Sequence, residues 1–148
     1  MTALRTIFRY WLWLLLALVV LQIAFAGFGA FDVVDKLGSG AVDEESFEDS
    51  WGLHIGFGYL ILLGALLALI LALVARVGRR SVFHALGIFG LVIVQVLLAW
   101  IGGTVPIVGA LHPINAFLIL GAVGWLTMKQ WKGAQMAATP AAPPPPAA

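Results

Sequence analysis

Formal charge is distributed along this chain so unevenly that the gaps between charges outline its elements. No charged residue stands between Arg9 and Asp32, and none stands between Asp49 and Arg76. Each stretch exceeds the ~20 residues that an α-helix needs to cross a hydrocarbon core about 30 Å thick. Spanning helices are therefore predicted at about 8–31 and 51–75. Residues 81–128 again contain no Asp, Glu, Lys or Arg, and at ~1.5 Å per residue this run is roughly twice too long for one crossing, so it must turn back. Gly102, Gly103, Thr104, Pro106 and Gly109 mark the turn, because glycine and proline interrupt helices. Two further helices follow, at about 82–101 and 107–129. The pattern predicts an all-α integral membrane protein, a four-helix up-down bundle forming one domain over residues 1–132.

Composition supports that reading. Of the 148 residues 62 % are hydrophobic and 10 % charged, against roughly 25 % charged in soluble domains. All seven acids fall within 32–49, whereas seven of the eight bases lie elsewhere. Arg5 and Arg9 precede the first span, Arg76, Arg79 and Arg80 join the second to the third, and Lys129 and Lys132 follow the fourth. Because Lys and Arg favour cytoplasmic segments, both termini are expected in the cytoplasm of a multi-pass plasma-membrane protein. The acidic segment 32–49, with Lys36, is then an outer loop, solvated and self-repelling. Docking of a membrane or redox partner protein on that acidic loop is the functional alternative. Trp11, Trp13, Trp125 and Trp131 would belt the inner interface, and Trp51 and Trp100 the outer one.

A rival exists for the first span. Arg5 and Arg9, an apolar run, and Ala24-Phe25-Ala26 before Gly27 have the order of a secretory signal with its small-residue cleavage site. The run is longer than the 7 to 15 apolar residues or so of a typical signal core, so a retained helix is the expectation; cleavage would leave three helices and an external N-terminus. Residues 133–148, rich in alanine and proline, read as a disordered cytoplasmic tail.

Candidate chemistry is sparse. The absence of cysteine excludes disulfides, thiolate metal sites and thioether-attached haem. No phosphate loop, catalytic Ser/His/Asp order or nucleic-acid stripe appears. Of three histidines, His54 and His112 fall at the outer ends of the second and fourth helices. In an up-down bundle these helices are diagonal and parallel, and neighbouring axes about 8 to 10 Å apart give a diagonal of roughly 12 to 14 Å. Two inward imidazoles and one iron span that gap, and an apolar bundle core suits a porphyrin. The lead expectation is a b-type haem (haem b) held near the outer face by His54 and His112, for electron transfer or haem handling.

Gly58 lies four residues after His54 on the same helical face, where a bare backbone admits a flat macrocycle. The nearby Gly52-x-x-x-Gly56 equally has the spacing of close helix packing. Asn115 shares a face with His112 and would hydrogen-bond a ligand or another helix. Pro113 either occupies the first turn of the fourth helix, leaving His112 at the rim, or kinks a longer helix and sets His112 deeper. His84, at the inner end of the third helix, reads as interfacial, and Gln22 and Gln95 as mid-span amides hydrogen-bonding between helices. The alternative to a haem protein is a cofactor-free structural or accessory subunit, its histidines hydrated by headgroups.

The segments Trp51-Gly52-Leu53-His54-x-x-x-Gly58-Tyr59 and Leu111-His112-Pro113-x-Asn115 resemble those of a family of small four-helix membrane proteins found mainly in actinobacteria, over about residues 5–132. The layout, a histidine at the outer end of the second and fourth helices, is similar to one half of haem A synthase. That resemblance implies axial ligation by His54 and His112. The sequence departs from the synthase in having one half only, and in lacking a clear counterpart of the acid that precedes the second-helix histidine, since Glu48 and Asp49 lie further away.

Overall fold

Helices run well past the apolar stretches that predict them. The computed structural model describes residues 2–40 and 43–138. In it α1 spans Thr2–Ser39, α2 Glu44–Val74, α3 Arg79–Gly102, α4 is a single turn at Pro106–Gly109, and α5 spans Leu111–Ala138. No strand occurs among the described residues. The helices α1, α2 and α3 and the α4–α5 unit are each long and apolar enough to cross a membrane. With its 38 residues, α1 is about 57 Å long at ~1.5 Å per residue, far more than a bilayer core requires.

The surplus turns correct the expectation of an acidic loop. Asp32, Asp35 and Lys36 lie on α1, and Glu44, Glu45, Glu48 and Asp49 on α2, so 32–49 is largely the helical top of a hairpin. Several of the charges that flank the turn are partnered. Lys36 Nζ sits 2.9 Å from Asp32 Oδ2 one turn away and donates to the Ser46 carbonyl at 3.0 Å and to Ser50 Oγ at 2.9 Å. The Ser50 hydroxyl donates to Asp32 at 2.6 Å. Asp43 caps α2 in a reciprocal box with Ser46, and Glu44 and Glu45 occupy the first turn, where carboxylates oppose the positive end of the helix dipole. Ser46 lowers the Asp43 carboxyl below its ordinary value, first through its side chain and then through its backbone amide.

At the other end the chain turns through Arg76 (φ 48°) and Gly78 (φ 96°). The Arg5 guanidinium closes α2 by donating to the Ala75 and Arg76 carbonyls at 3.2 and 3.0 Å. The tail expectation also changes: 133–138 continue α5, and 139–148 lie outside the described residues.

Helix α1 packs on α2 and α5, and α3 packs on the same two, so α2 and α5 are diagonal as predicted. One face of each helix fills the core: Phe8, Leu12, Leu15 and Val19 from α1; Ile61, Ala65, Ala68 and Ala72 from α2; Ala85, Ile88 and Val92 from α3; Ile119, Val123 and Leu126 from α5. Their three- and four-residue spacing is the stripe of a buried helix face, and the alanines of α2 let its backbone come close, as small residues do between membrane helices. Trp11 joins this packing and donates to the Gly64 carbonyl at 2.9 Å, so it is an anchor between α1 and α2 as well as an aromatic near the basic end. At the acidic end α3 meets α4 backbone to backbone: a Cβ on Gly102 would lie 2.6 Å from the Gly109 Cα.

Candidate bis-imidazole site

The core stops at a ring of four branched side chains, one from each spanning helix: Val19, Ile61, Val92 and Ile119, all buried. Above it, toward the acidic end, the interior opens into a cavity of about 350 Å³ that these four floor. Gln22, His54, Gln95 and His112 line its walls. The numbering repeats between the two halves of the chain. Gln22 and Gln95 each stand three residues after the floor residue of their helix, and His54 and His112 each stand seven residues before theirs. An α1–α2 hairpin and an α3–α5 hairpin thus present the same residues at the same level, in the manner of a parallel structural repeat.

Each hairpin locks its histidine the same way. His54 Nδ1 lies 3.2 Å from the Gln22 carbonyl oxygen, and His112 Nδ1 lies 3.1 Å from the Gln95 carbonyl oxygen. A carbonyl only accepts, so each Nδ1 carries the hydrogen, and Nε2 of each neutral ring is left with a lone pair. The ring centres are 6.0 Å apart, with their planes at 62°. Two lining imidazoles that each keep Nε2 uncommitted suit a Lewis acid or a hydrogen-bond donor.

The glutamines are locked in return. Gln22 Nε2 donates to the His54 carbonyl at 2.7 Å, while Asn115 Nδ2 donates to Gln95 Oε1 at 2.7 Å and to the Leu91 carbonyl at 2.9 Å. These bonds tie α1 to α2 and α3 to α5. Gln22 Oε1 remains buried without a protein partner. Trp51 stands edge-on to His54, ring centres 5.7 Å apart, and packs against Gly29, where a Cβ would come within 3.1 Å of its ring.

The predicted site residues divide. His54, His112 and Gly58 line one cavity, and a Cβ on Gly58 would meet Gln22 Nε2 at 3.3 Å, so this glycine seats the glutamine as well as baring backbone. Asn115 does not line the cavity; both its amide hydrogens are committed to α3, and it acts by holding Gln95. Pro113 is in the first turn of α5, yet His112 is not at the rim, because α3 continues seven residues, about 10 Å, beyond Gln95. Gly52 and Gly56 have nothing within 4 Å of an added Cβ, so their spacing packs no helix among the described residues. His84 stacks on Trp125 at the basic end, centres 4.3 Å apart, with Lys129 Nζ 4.7 Å over the same indole. What sequence reasoning missed is the pairing of each glutamine with a histidine. The signal was available in the matched pairs Val19-x-x-Gln22 and Val92-x-x-Gln95.

A family model described as a family of unknown function (DUF6220) matches residues 22–104. That stretch begins at the first clasp glutamine and runs through the end of α3, taking in His54, Gly58 and Gln95 and leaving His112 outside. No curated protein and no solved structure matches the chain.

Proposed function

The chain belongs to this family of unknown function, matched over more than half its length, and from its geometry we propose that it is a membrane haem protein in which His54 and His112 hold one b-type haem. The observation that carries the proposal is the pair of Nδ1-anchored imidazoles 6.0 Å apart in one apolar cavity. One metal ion bonded to both imidazoles at about 2.0 Å each would fit between rings at this separation, and His54 and His112 would be the residues to hold it. Anchoring the second ring nitrogen on a carbonyl is how ligating histidines are commonly oriented. Haem iron needs only two protein ligands, because the porphyrin supplies the rest. A cavity of about 350 Å³ falls within the roughly 300 to 1,000 Å³ of ligand sites. The likeness of the layout to one half of haem A synthase points the same way.

When bound, the iron would supply a one-electron couple. The protein's part is to fix two imidazoles, exclude water with the branched floor and tie each hairpin into one unit. With the basic end in the cytoplasm of the plasma membrane, as the Lys and Arg bias favours, a haem held by His54 and His112 would lie toward the outer face. Gln22 is 13 residues, about 20 Å, from Arg9 along α1. That position suits electron exchange at the outer surface or passage of haem to a partner there.

Expression with ample haem followed by purification tests the proposal. A Soret band at about one haem per chain is expected, as one bis-imidazole site requires. A wild-type protein that stays colourless, or a band that survives in both His54→Ala and His112→Ala, would overturn it. The second reading, a cofactor-free accessory subunit, is favoured by one observation: the same clasps tie helix to helix through protein groups alone. It predicts a colourless protein that co-purifies stoichiometrically with a partner.

A further inference from the structure

We propose that the seam between α2 and α3 is a lateral door through which the cavity takes its ligand from the lipid. The identity of the ligand rests on the haem reading; the door itself rests on the walls. Below, the four branched floor residues close the cavity. The α1–α2 side is closed by the Gln22–His54 clasp and by the Phe25 and Phe57 rings, centres 4.7 Å apart. The α3–α5 side is closed by His112, Gln95 and Asn115. Two seams are left.

Helical geometry assigns the lining residues to them. On α2, Ile55 and Tyr59 stand within about 40° of each other, turned away from Phe57 and Gly64, which touch α1, and both line the cavity. On α3, Leu91 and Gln95 meet α5, which turns Val96 and Trp100 toward α2. Three of these lining residues are open to the surroundings, Ile55 at 51 %, Tyr59 at 57 % and Trp100 at 78 % exposure. Beyond the floor and the clasps, the cavity is lined by Ile55 and Tyr59 of α2 and by Val96, Ala99 and Trp100 of α3, but on the α1–α5 side by Ile23 and Ala116 among the described residues. The repeat is therefore broken in the lining, which reaches the surface over α2 and α3.

No formal charge lines this opening, while Tyr59 and Trp100 are amphipathic aromatics of the kind that sit at headgroup depth. The chemistry that fits is a flat amphiphile already dissolved in the bilayer, its ring among the acyl chains and its polar edge at the headgroups. Haem meets that description.

The chain has no cysteine, so a single engineered thiol reports on access. Ile119→Cys puts one on the cavity floor, and its reaction in proteoliposomes is followed with a lipid-partitioned pyrene maleimide and with a membrane-impermeant sulfonated maleimide. The lipid-partitioned reagent is expected to label and the sulfonated one to fail. Adding Val96→Trp, or the smaller Val96→Phe, should slow labelling by about tenfold or more, because a side chain filling a packed gap leaves no room for another. The matched control Ile23→Trp should change it by less than about twofold by the same argument. Labelling from water at a comparable rate, equal slowing by Ile23→Trp, no slowing by either Val96 variant, or no labelling by either reagent would each overturn the door. A colourless protein with the expected labelling pattern would instead remove the haem reading and leave the door standing.

Discussion

At the level of single side chains, what decides the chemistry is which nitrogen of each imidazole is already committed. Because Gln22 and Gln95 offer backbone carbonyls to Nδ1, their side chains can be removed without changing the tautomer. Gln22→Leu and Gln95→Leu should therefore keep both imidazoles ligand-competent. They should lower stability, measured by thermal unfolding in detergent, by about 0.6 to 1.7 kcal/mol, the span found for interhelical hydrogen bonds in membranes. Asn115→Leu removes two such bonds and should cost more than either. Sequence reading found the two histidines and called the glutamines interhelical amides, but did not connect the two sets. The reason is depth: counted from the apolar boundaries, the histidines looked terminal and the glutamines central, whereas α2 begins seven residues earlier than 51 and the levels coincide.

Among the elements, the helix ends carry the information that the apolar pattern could not. Charge gaps fix how many helices there are, since lipid requires backbone groups to be satisfied within a helix. They do not fix where a helix stops once it leaves the lipid. The hairpin of α1 and α2 illustrates this: Lys36 neutralises Asp32 and crosses to Ser46 and Ser50, a set of contacts that no spacing rule announces. Asp43→Ala should accelerate amide hydrogen exchange in the first turn of α2. The Asp43 carboxyl titrates below its ordinary value because Ser46 hydrogen-bonds it, so its folded pKa lies below its unfolded one. The stabilisation is complete above the unfolded value and is lost as pH falls through the folded one. The protection factor of that turn, the exchange rate corrected for its intrinsic pH dependence, should thus fall only on acidification below the ordinary carboxylate range, and the Asp43→Ala variant should not show the step.

Glycines at this scale are not equivalent. Gly102→Ala forces a Cβ to 2.6 Å from the Gly109 backbone and should destabilise by about 1 to 3 kcal/mol, the usual penalty of overpacking. Gly52→Ala and Gly56→Ala meet nothing and should shift the unfolding midpoint by no more than surface substitutions do, within about 0.5 kcal/mol. A larger loss in the Gly56 variant than in the Gly102 variant would contradict the packing described here.

For the molecule as a whole, the bundle is two similar hairpins arranged so that each contributes one imidazole to a shared apolar space. Four spans and the diagonal placement of α2 and α5 were legible in the sequence, because both follow from the length of uncharged stretches and the order of short connections. The cavity was not, since its floor depends on four branched residues from four helices meeting at one level. The family match ends at residue 104, before α5, so the second imidazole stands on this chain's own geometry.

Electron paramagnetic resonance of the ferric, haem-loaded protein tests the central claim most directly, because spin state reports axial ligation. The wild type should give a low-spin signal from two imidazoles, and His54→Ala and His112→Ala should each convert it to high spin or lose the haem. A high-spin wild type, or a low-spin signal unchanged by both substitutions, would contradict the account.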